Sequence, residues 1–137
     1  LILDDLTLDE KLQYLPADNA VMTLLGWGSV KGALLNARQR LAGQGVEANV
    51  LLLRLLWPVP VADVQQLLAG DMPLVAVENS YSGQVDVLLR QALGRGADHV
   101  IVKYSGRPFT GEPLAAALLQ IASGEGQPRM VLRDPYE

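Results

Sequence analysis

The sequence predicts a three-layer α/β/α sandwich built on a mostly parallel β-sheet. Three observations carry that reading. Apolar runs of strand length recur at Ala20–Leu25, Ala48–Leu56, Pro73–Val77 and His99–Lys103. Between them, apolar residues repeat at helical spacing, and Gly and Pro punctuate the junctions. Strands that are apolar almost throughout, alternating with helices, imply parallel strands covered on both faces. Crossovers between such strands are right-handed.

The elements follow in order. Residues 1–18 are polar and acidic, with Pro16 as punctuation, and read as a leader or linker. Ala20–Leu25 is a buried strand stopped by Gly26. Val30, Ala33, Leu34, Ala37 and Leu41 mark the first helix, with Ser29 placed as N-cap and Gly43 just past the end. Ala48–Leu56 is the second strand, stopped by Trp57-Pro58. Pro60 opens a helix bearing Val61, Val64, Leu67 and Leu68, closed by Gly70. Pro73–Val77 is the third strand, with proline tolerated at its start. Val85, Leu88, Leu89 and Ala92 form a third helix ended by Gly94, and His99–Lys103 is the fourth strand. Pro113–Ala122 is the last helix, with Leu114, Leu118 and Ile121 on one face and Thr110 as a candidate cap. The tail, residues 124–137, is polar apart from Met130–Leu132, which can add a short strand. The domain proper is therefore expected over residues 19–123.

Composition narrows the function. Half of the 137 residues are hydrophobic and 19% are charged, which is enough apolar surface for a core and excludes disorder over most of the length. A net charge of −4 with no basic run argues against a nucleic-acid partner. The absence of cysteine excludes disulfides, a thiolate nucleophile, Cys-ligated zinc and a resident iron–sulfur cluster. No apolar stretch approaches the roughly 20 residues of a membrane span. No secretory signal is visible, because Leu1–Leu3 are followed by Asp4, Asp5 and Asp9. The expected setting is cytoplasmic. Opening on Leu1 rather than Met suggests either one domain cut from a larger protein or a processed product.

In a parallel sheet every strand-to-helix loop leaves the carboxyl edge, where ligands and partners usually meet the fold. These loops are Gly26–Gly32, Trp57–Pro60, Glu78–Gln84 and Tyr104–Thr110, and they hold most of the glycine, aromatic and polar punctuation. The first has the spacing G-x-G-x-x-x-G, one residue off the dinucleotide fingerprint, and the second strand ends without an acidic residue for a ribose. A Walker loop also fails, because Lys31 precedes Gly32 instead of following a glycine and leading into Ser or Thr. What survives is a helix start with Ser29, Lys31 and Gly32 as anion or partner contacts. A lysine in that first turn opposes the helix dipole by a few tenths of a kcal/mol. Lys31 therefore either meets an anion or partner carboxylate or reaches into water.

The other candidates have structural alternatives. His99, the sole histidine, starts a strand on the edge away from these loops and reads as structural or surface. Glu78 is either an acid of a site or the ion-pair partner of Arg54, which sits inside an apolar run. Tyr81 and Gln84 open a helix and can serve as caps and packing. Trp57 and Phe109 are either core lids or partner anchors. No nucleophile with a base, no His–carboxylate pair and no metal-ligand cluster can be assembled, so no catalytic residue is expected.

The same loops carry a family signal. Gly26-Trp27-Gly28-Ser29-Val30-Lys31-Gly32 resembles the Gly-Trp-Gly-Ser-Thr-Lys-Gly segment of 2-oxoacid:ferredoxin oxidoreductase alpha subunits, with Val30 replacing Thr. Leu53-Arg54-Leu55-Leu56-Trp57-Pro58-Val59-Pro60 resembles the family's stretch ending Pro-Phe-Pro, with Val59 for Phe. Val77-Glu78-Asn79-Ser80-Tyr81-Ser82-Gly83-Gln84 is similar to Val-Glu-Asn-Asn-Tyr-Ser-Gly-Gln. Lys103-Tyr104-Ser105-Gly106-Arg107-Pro108-Phe109-Thr110 is similar to Lys-Tyr-Asp-Gly-Arg-Pro-Phe-Thr. Four motifs in order over residues 20–122 make the resemblance specific, and the Glu-Asn-x-Tyr-Ser-Gly-Gln form is closer to the 2-oxoglutarate branch than to the pyruvate branch.

The resemblance implies a transketolase C-terminal fold, with the four main strands ordered 2-1-3-4 and room for an antiparallel edge strand. The Gly26–Gly32 and Glu78–Gln84 loops would then face each other at the switch point. It implies a parent reaction in which a 2-oxoacid, coenzyme A and oxidised ferredoxin give acyl-CoA, carbon dioxide and reduced ferredoxin. Thiamine diphosphate, magnesium, an iron–sulfur cluster and coenzyme A would be held outside this domain, in other domains of the alpha subunit or in the beta subunit. Trp57, Glu78, Asn79, Tyr81, Gln84, Tyr104, Arg107 and Phe109 become interface candidates. The resulting expectation is a non-catalytic interface domain. Its alternatives are a stand-alone small-anion-binding or regulatory module, or the equivalent domain of a 2-oxoacid dehydrogenase beta subunit.

Overall fold

The computed structural model of the chain describes residues 12–27, 30–53, 61–68, 70, 72–78, 87, 89–91, 94–103 and 109–132. Six strands form one sheet: β1 (Leu12–Leu15), β2 (Met22–Trp27), β3 (Ala48–Leu53), β4 (Leu74–Glu78), β5 (His99–Lys103) and β6 (Arg129–Leu132). Their order is β1-β3-β2-β4-β5-β6. Strands β2 to β6 pair in parallel, and β1 alone runs antiparallel, against β3. The segment β3-β2-β4-β5 is the 2-1-3-4 order that the resemblance implies.

Burial explains the apolar runs. All six residues of β3 and all five of β4 are buried, because each strand has neighbours on both edges and helices over both faces. Alternation sends Met22, Leu24, Val50, Leu52, Val75, Val77 and Ile101 to one face. There they meet Leu34, Ala37 and Leu41 of α1 (Lys31–Ala42) and Leu114, Leu118 and Ile121 of α3 (Gly111–Ala122). The second face gathers Leu25, Leu51, Leu53, Leu74, Ala76, Val100 and Val102 under Val64 of α2 (Val61–Leu67) and Leu89, one of the helical residues between β4 and β5. Each fully buried leucine contributes about 1.5–3 kcal/mol relative to exposure.

The sheet extends past residues 19–123 at both ends. Strand β1 lies inside the segment read as leader, where Leu12 is buried and Tyr14 packs on the second face. The turn that follows is fastened to the sheet. Ala17 N–H donates to Asn49 Oδ1 (2.9 Å), and Arg38 donates to the carbonyls of Ala48 (3.0 Å) and Pro16 (2.8 Å). Strand β6 is the short strand expected in the tail, and it pairs in parallel with β5.

Helix α1 departs from expectation at its start, whereas Gly43 lies just past its end as expected. Its N-cap position falls on Val30 and makes no side-chain cap hydrogen bond, whereas Ser29 lies outside the described residues. Packing sets this start: Val30 is buried, and a Cβ on Gly26 would lie 2.5 Å from both Val30 and Leu34. Gly26 therefore lets the helix lie close on β2, a geometric role independent of any phosphate. At the other end Gly43 stays right-handed (φ −62°), and the left-handed position is Gly45 (φ +80°). Thr110 occupies the N-cap of α3 as expected, without a side-chain cap bond.

Gly26→Ala is expected to destabilise the fold by about 1–3 kcal/mol through overpacking. Gly32→Ala, with nothing within 4 Å of the added methyl, should instead stabilise it by up to about 1 kcal/mol through helix propensity. Urea denaturation of the two variants beside the parent chain checks the opposite signs.

Candidate functional site

Because β2, β3, β4 and β5 are parallel, their last residues, Trp27, Leu53, Glu78 and Lys103, lie along one edge. The chain leaving β2 enters α1 on the first face, whereas the helical residues after β4 cover the second. As β2 and β4 are neighbours, their outgoing chains diverge to opposite faces, and this divergence is the switch point at which α/β sheets open a crevice. Trp27 and Glu78 each lie two residues beyond the Leu25–Ala76 pair, so both sit at this point on the second face.

The edge combines an exposed aromatic with buried charges. Trp27 is 46% exposed. Glu78 and Lys103 are both 6% exposed at the ends of neighbouring strands. Register sends them to opposite faces: Glu78 pairs with Val102, and Lys103 lies one residue further on. A buried charge loses hydration worth several kcal/mol unless neighbours engage it. Both Glu78 and Lys103 make such interactions.

The candidates from sequence are distributed unevenly. Lys31 and Gly32 are exposed in the first turn of α1. Glu78 is buried at the switch point, and Phe109 is buried in the first-face core beside α3. Ser29, Arg54, Trp57, Asn79, Tyr81, Gln84, Tyr104 and Arg107 lie outside the described residues. His99 is at the amino edge, its Nδ1 2.8 Å from the Gln127 carbonyl, a contact that joins β5 to the turn before β6. Among the described residues no group of three His, Cys, Asp or Glu side chains could hold a metal ion. A chain without cysteine also offers no thiolate to an iron–sulfur cluster.

Two features escaped the sequence reading. The first is Trp27, whose signal is an aromatic residue closing an apolar strand. The second is a cavity of about 150 Å³ at the amino edge, lined by residues that include Tyr14, Thr23, Asn49, Met72 and Arg95. Its signal was the pair Thr23 and Asn49, polar residues inside apolar strands, which the β2–β3 register places side by side.

The architecture defines the class: an α/β/α sandwich with a parallel core and a single switch-point edge. Transketolase from Pichia stipitis shares this fold, with a TM-score of 0.53 at 17% identity over 85% of this chain and 18% of that one. The relatives are more particular. An alpha subunit of 2-oxoacid:ferredoxin oxidoreductase from Aeropyrum pernix is 35% identical over 127 residues, covering 90% of this chain and 20% of that subunit. The alpha subunit from Saccharolobus solfataricus is 30% identical over 111 residues, covering 81% and 17%. The chain thus spans about one fifth of the curated relatives it matches.

Solved structures agree. The 2-oxoglutarate:ferredoxin oxidoreductase from Magnetococcus marinus, solved with 2-oxoglutarate, coenzyme A and succinyl-CoA bound, superposes with a TM-score of 0.75 at 24% identity, over 87% of this chain and 20% of that one. The alpha chain of a probable 2-oxoacid ferredoxin oxidoreductase from Thermoplasma acidophilum gives 0.58 at 28% identity, over 83% and 98%. No protein-family model matches the chain. Along most of its length, then, the chain is similar to one domain-sized segment of 2-oxoacid:ferredoxin oxidoreductase alpha subunits.

The first turn of α1 contains no acidic residue and carries an exposed lysine. Lys31→Glu should therefore raise stability by about 0.3–1 kcal/mol at low ionic strength, through the helix dipole. The gain should shrink in high salt, as denaturant titrations at two ionic strengths would show.

Proposed function

We propose that this chain is the transketolase C-terminal-like domain of a 2-oxoacid:ferredoxin oxidoreductase alpha subunit, where it serves as a structural interface. The observation that carries the reading is the common edge formed by the strand ends Trp27, Leu53, Glu78 and Lys103, from which the four motif segments continue in sequence. The parallel order β3-β2-β4-β5 brings Trp27, Leu53, Glu78 and Lys103, the last residues of their strands, to the same side of the sheet. The relatives align across nearly the whole of this arrangement while leaving four fifths of their own length outside it. That remainder is where the catalytic apparatus would reside.

In the parent enzyme a 2-oxoacid, coenzyme A and oxidised ferredoxin would yield acyl-CoA, carbon dioxide and reduced ferredoxin. The Glu78-Asn79-Ser80-Tyr81-Ser82-Gly83-Gln84 sequence favours 2-oxoglutarate as the acid. Thiamine diphosphate would supply the electron sink for decarboxylation, with magnesium and iron–sulfur clusters, from other domains or the beta subunit. This domain would position those parts: Trp27, Trp57 and Tyr81 supply aromatic area and Arg107 supplies charge for register, whereas Phe109 is a core residue of the first face. The setting is cytoplasmic, and ferredoxin is the acceptor of the whole enzyme.

Trp57→Ala or Tyr81→Ala in the full alpha subunit should lower the fraction assembled with the beta subunit, measured by native mass spectrometry. The same substitutions should leave the melting midpoint of the 137-residue chain nearly unchanged. Equal loss of stability in the chain alone would assign those residues to the core. Isothermal calorimetry of the chain with thiamine diphosphate should show no binding, and saturable binding would falsify the interface reading.

A further inference from the structure

Met72 precedes β4 at the amino edge, opposite the edge assigned to assembly, and its sulfur sits in an unusual polar setting. Thr23 Oγ1 donates to Met72 Sδ at 3.4 Å, and Asn49 Nδ2 donates to the same sulfur at 3.3 Å. Both donors are more than nine-tenths buried, at 4% and 7% exposure. Asn49 Nδ2 also donates to Thr23 Oγ1 (3.2 Å), while its Oδ1 accepts from Ala17 N–H (2.9 Å). The cluster joins β2, β3, the segment before β4 and the turn after β1.

A thioether is a weak acceptor. Two buried donors therefore converge on one of the poorest acceptors a side chain offers, although an unsatisfied buried donor is costly. Met72 is also 37% exposed, and the cavity of about 150 Å³ beside it has room for an added oxygen atom. Access, space and two aimed donors coincide at one sulfur.

We propose that Met72 is an oxidation site for peroxide-class oxidants, with Thr23 and Asn49 forming a ready cradle for the sulfoxide oxygen. A sulfur lone pair attacks one peroxide oxygen. The S–O bond forms as the O–O bond breaks, so the sulfide loses two electrons and the peroxide gains them. With hydrogen peroxide, the proton of the transferred hydroxyl passes to the departing hydroxide, which leaves as water. The sulfoxide oxygen is a strong acceptor, so the donors exchange a weak partner for a good one. Oxidation here holds the amino edge together, whereas a sulfoxide in an apolar setting disrupts its surroundings.

The test treats the full chain with limiting hydrogen peroxide and quantifies each sulfoxide by peptide mass spectrometry. Met72 should oxidise ahead of the buried Met22 and the half-buried Met130. The oxidised parent chain should melt at or above the reduced midpoint. Oxidised Thr23→Val should melt about 3 °C or more below its own reduced form, and Thr23→Ser should restore the parent response. A readout that needs no variant is the Asn49 side-chain amide proton, which should move downfield in the NMR spectrum on oxidation. The proposal is overturned if Met72 reacts no faster than Met130, if the parent chain loses as much stability as Thr23→Val, or if the Asn49 resonance stays in place.

Discussion

The parallel pairing of β2 with β3 on one side and β4 on the other is the constraint from which the rest of the molecule follows. A strand bonded along both edges and covered on both faces leaves no position for an unmatched polar group, which is why Met22–Leu25 are all buried. From the central pair β2 and β4 the chain runs outward in opposite directions, β2 to β3 and β4 to β5, so right-handed crossovers cover opposite faces and create the switch point. Gly26 completes the arrangement by letting Val30 and Leu34 approach the strand. The position of α1, and with it Lys31 and Gly32, thus depends on a missing side chain in the central strand.

The carboxyl edge differs in character from the interior it borders. Lys103 and Glu78 close their strands as buried charges, where the helix-covered part of the sheet carries only apolar residues and the Thr23–Asn49 pair. An exposed indole at Trp27, beside Glu78 at the same crevice, adds apolar area of the kind that anchors protein interfaces.

Much of this was legible in the sequence, for identifiable reasons. Ala48–Leu53 and Leu74–Val77 are apolar without interruption, and that pattern has few solutions other than a buried parallel strand. Leu12–Leu15 was not legible, because four residues ahead of Pro16 show too little alternation to distinguish an edge strand from a linker. The start of α1 was misplaced because Ser29 has the chemistry of a cap, whereas burial of Val30 decides the geometry. Thr23 and Asn49 are polar residues in apolar strands, and only the register brings them together over Met72. The motif loops drew attention by glycine, aromatic and charged composition, and the parallel topology puts the strand ends that precede them on a common side of the sheet.

The most direct test of an assembly role for the carboxyl edge is hydrogen–deuterium exchange, read by mass spectrometry on the chain alone and on the assembled oxidoreductase. The segments following Trp27, Leu53, Glu78 and Lys103 should exchange freely in the isolated chain and become protected in the enzyme. The amino-edge turns at residues 43–47 and 94–98 should exchange alike in both. Protection confined to the amino edge, or no new protection anywhere, would contradict the assignment of this edge to assembly.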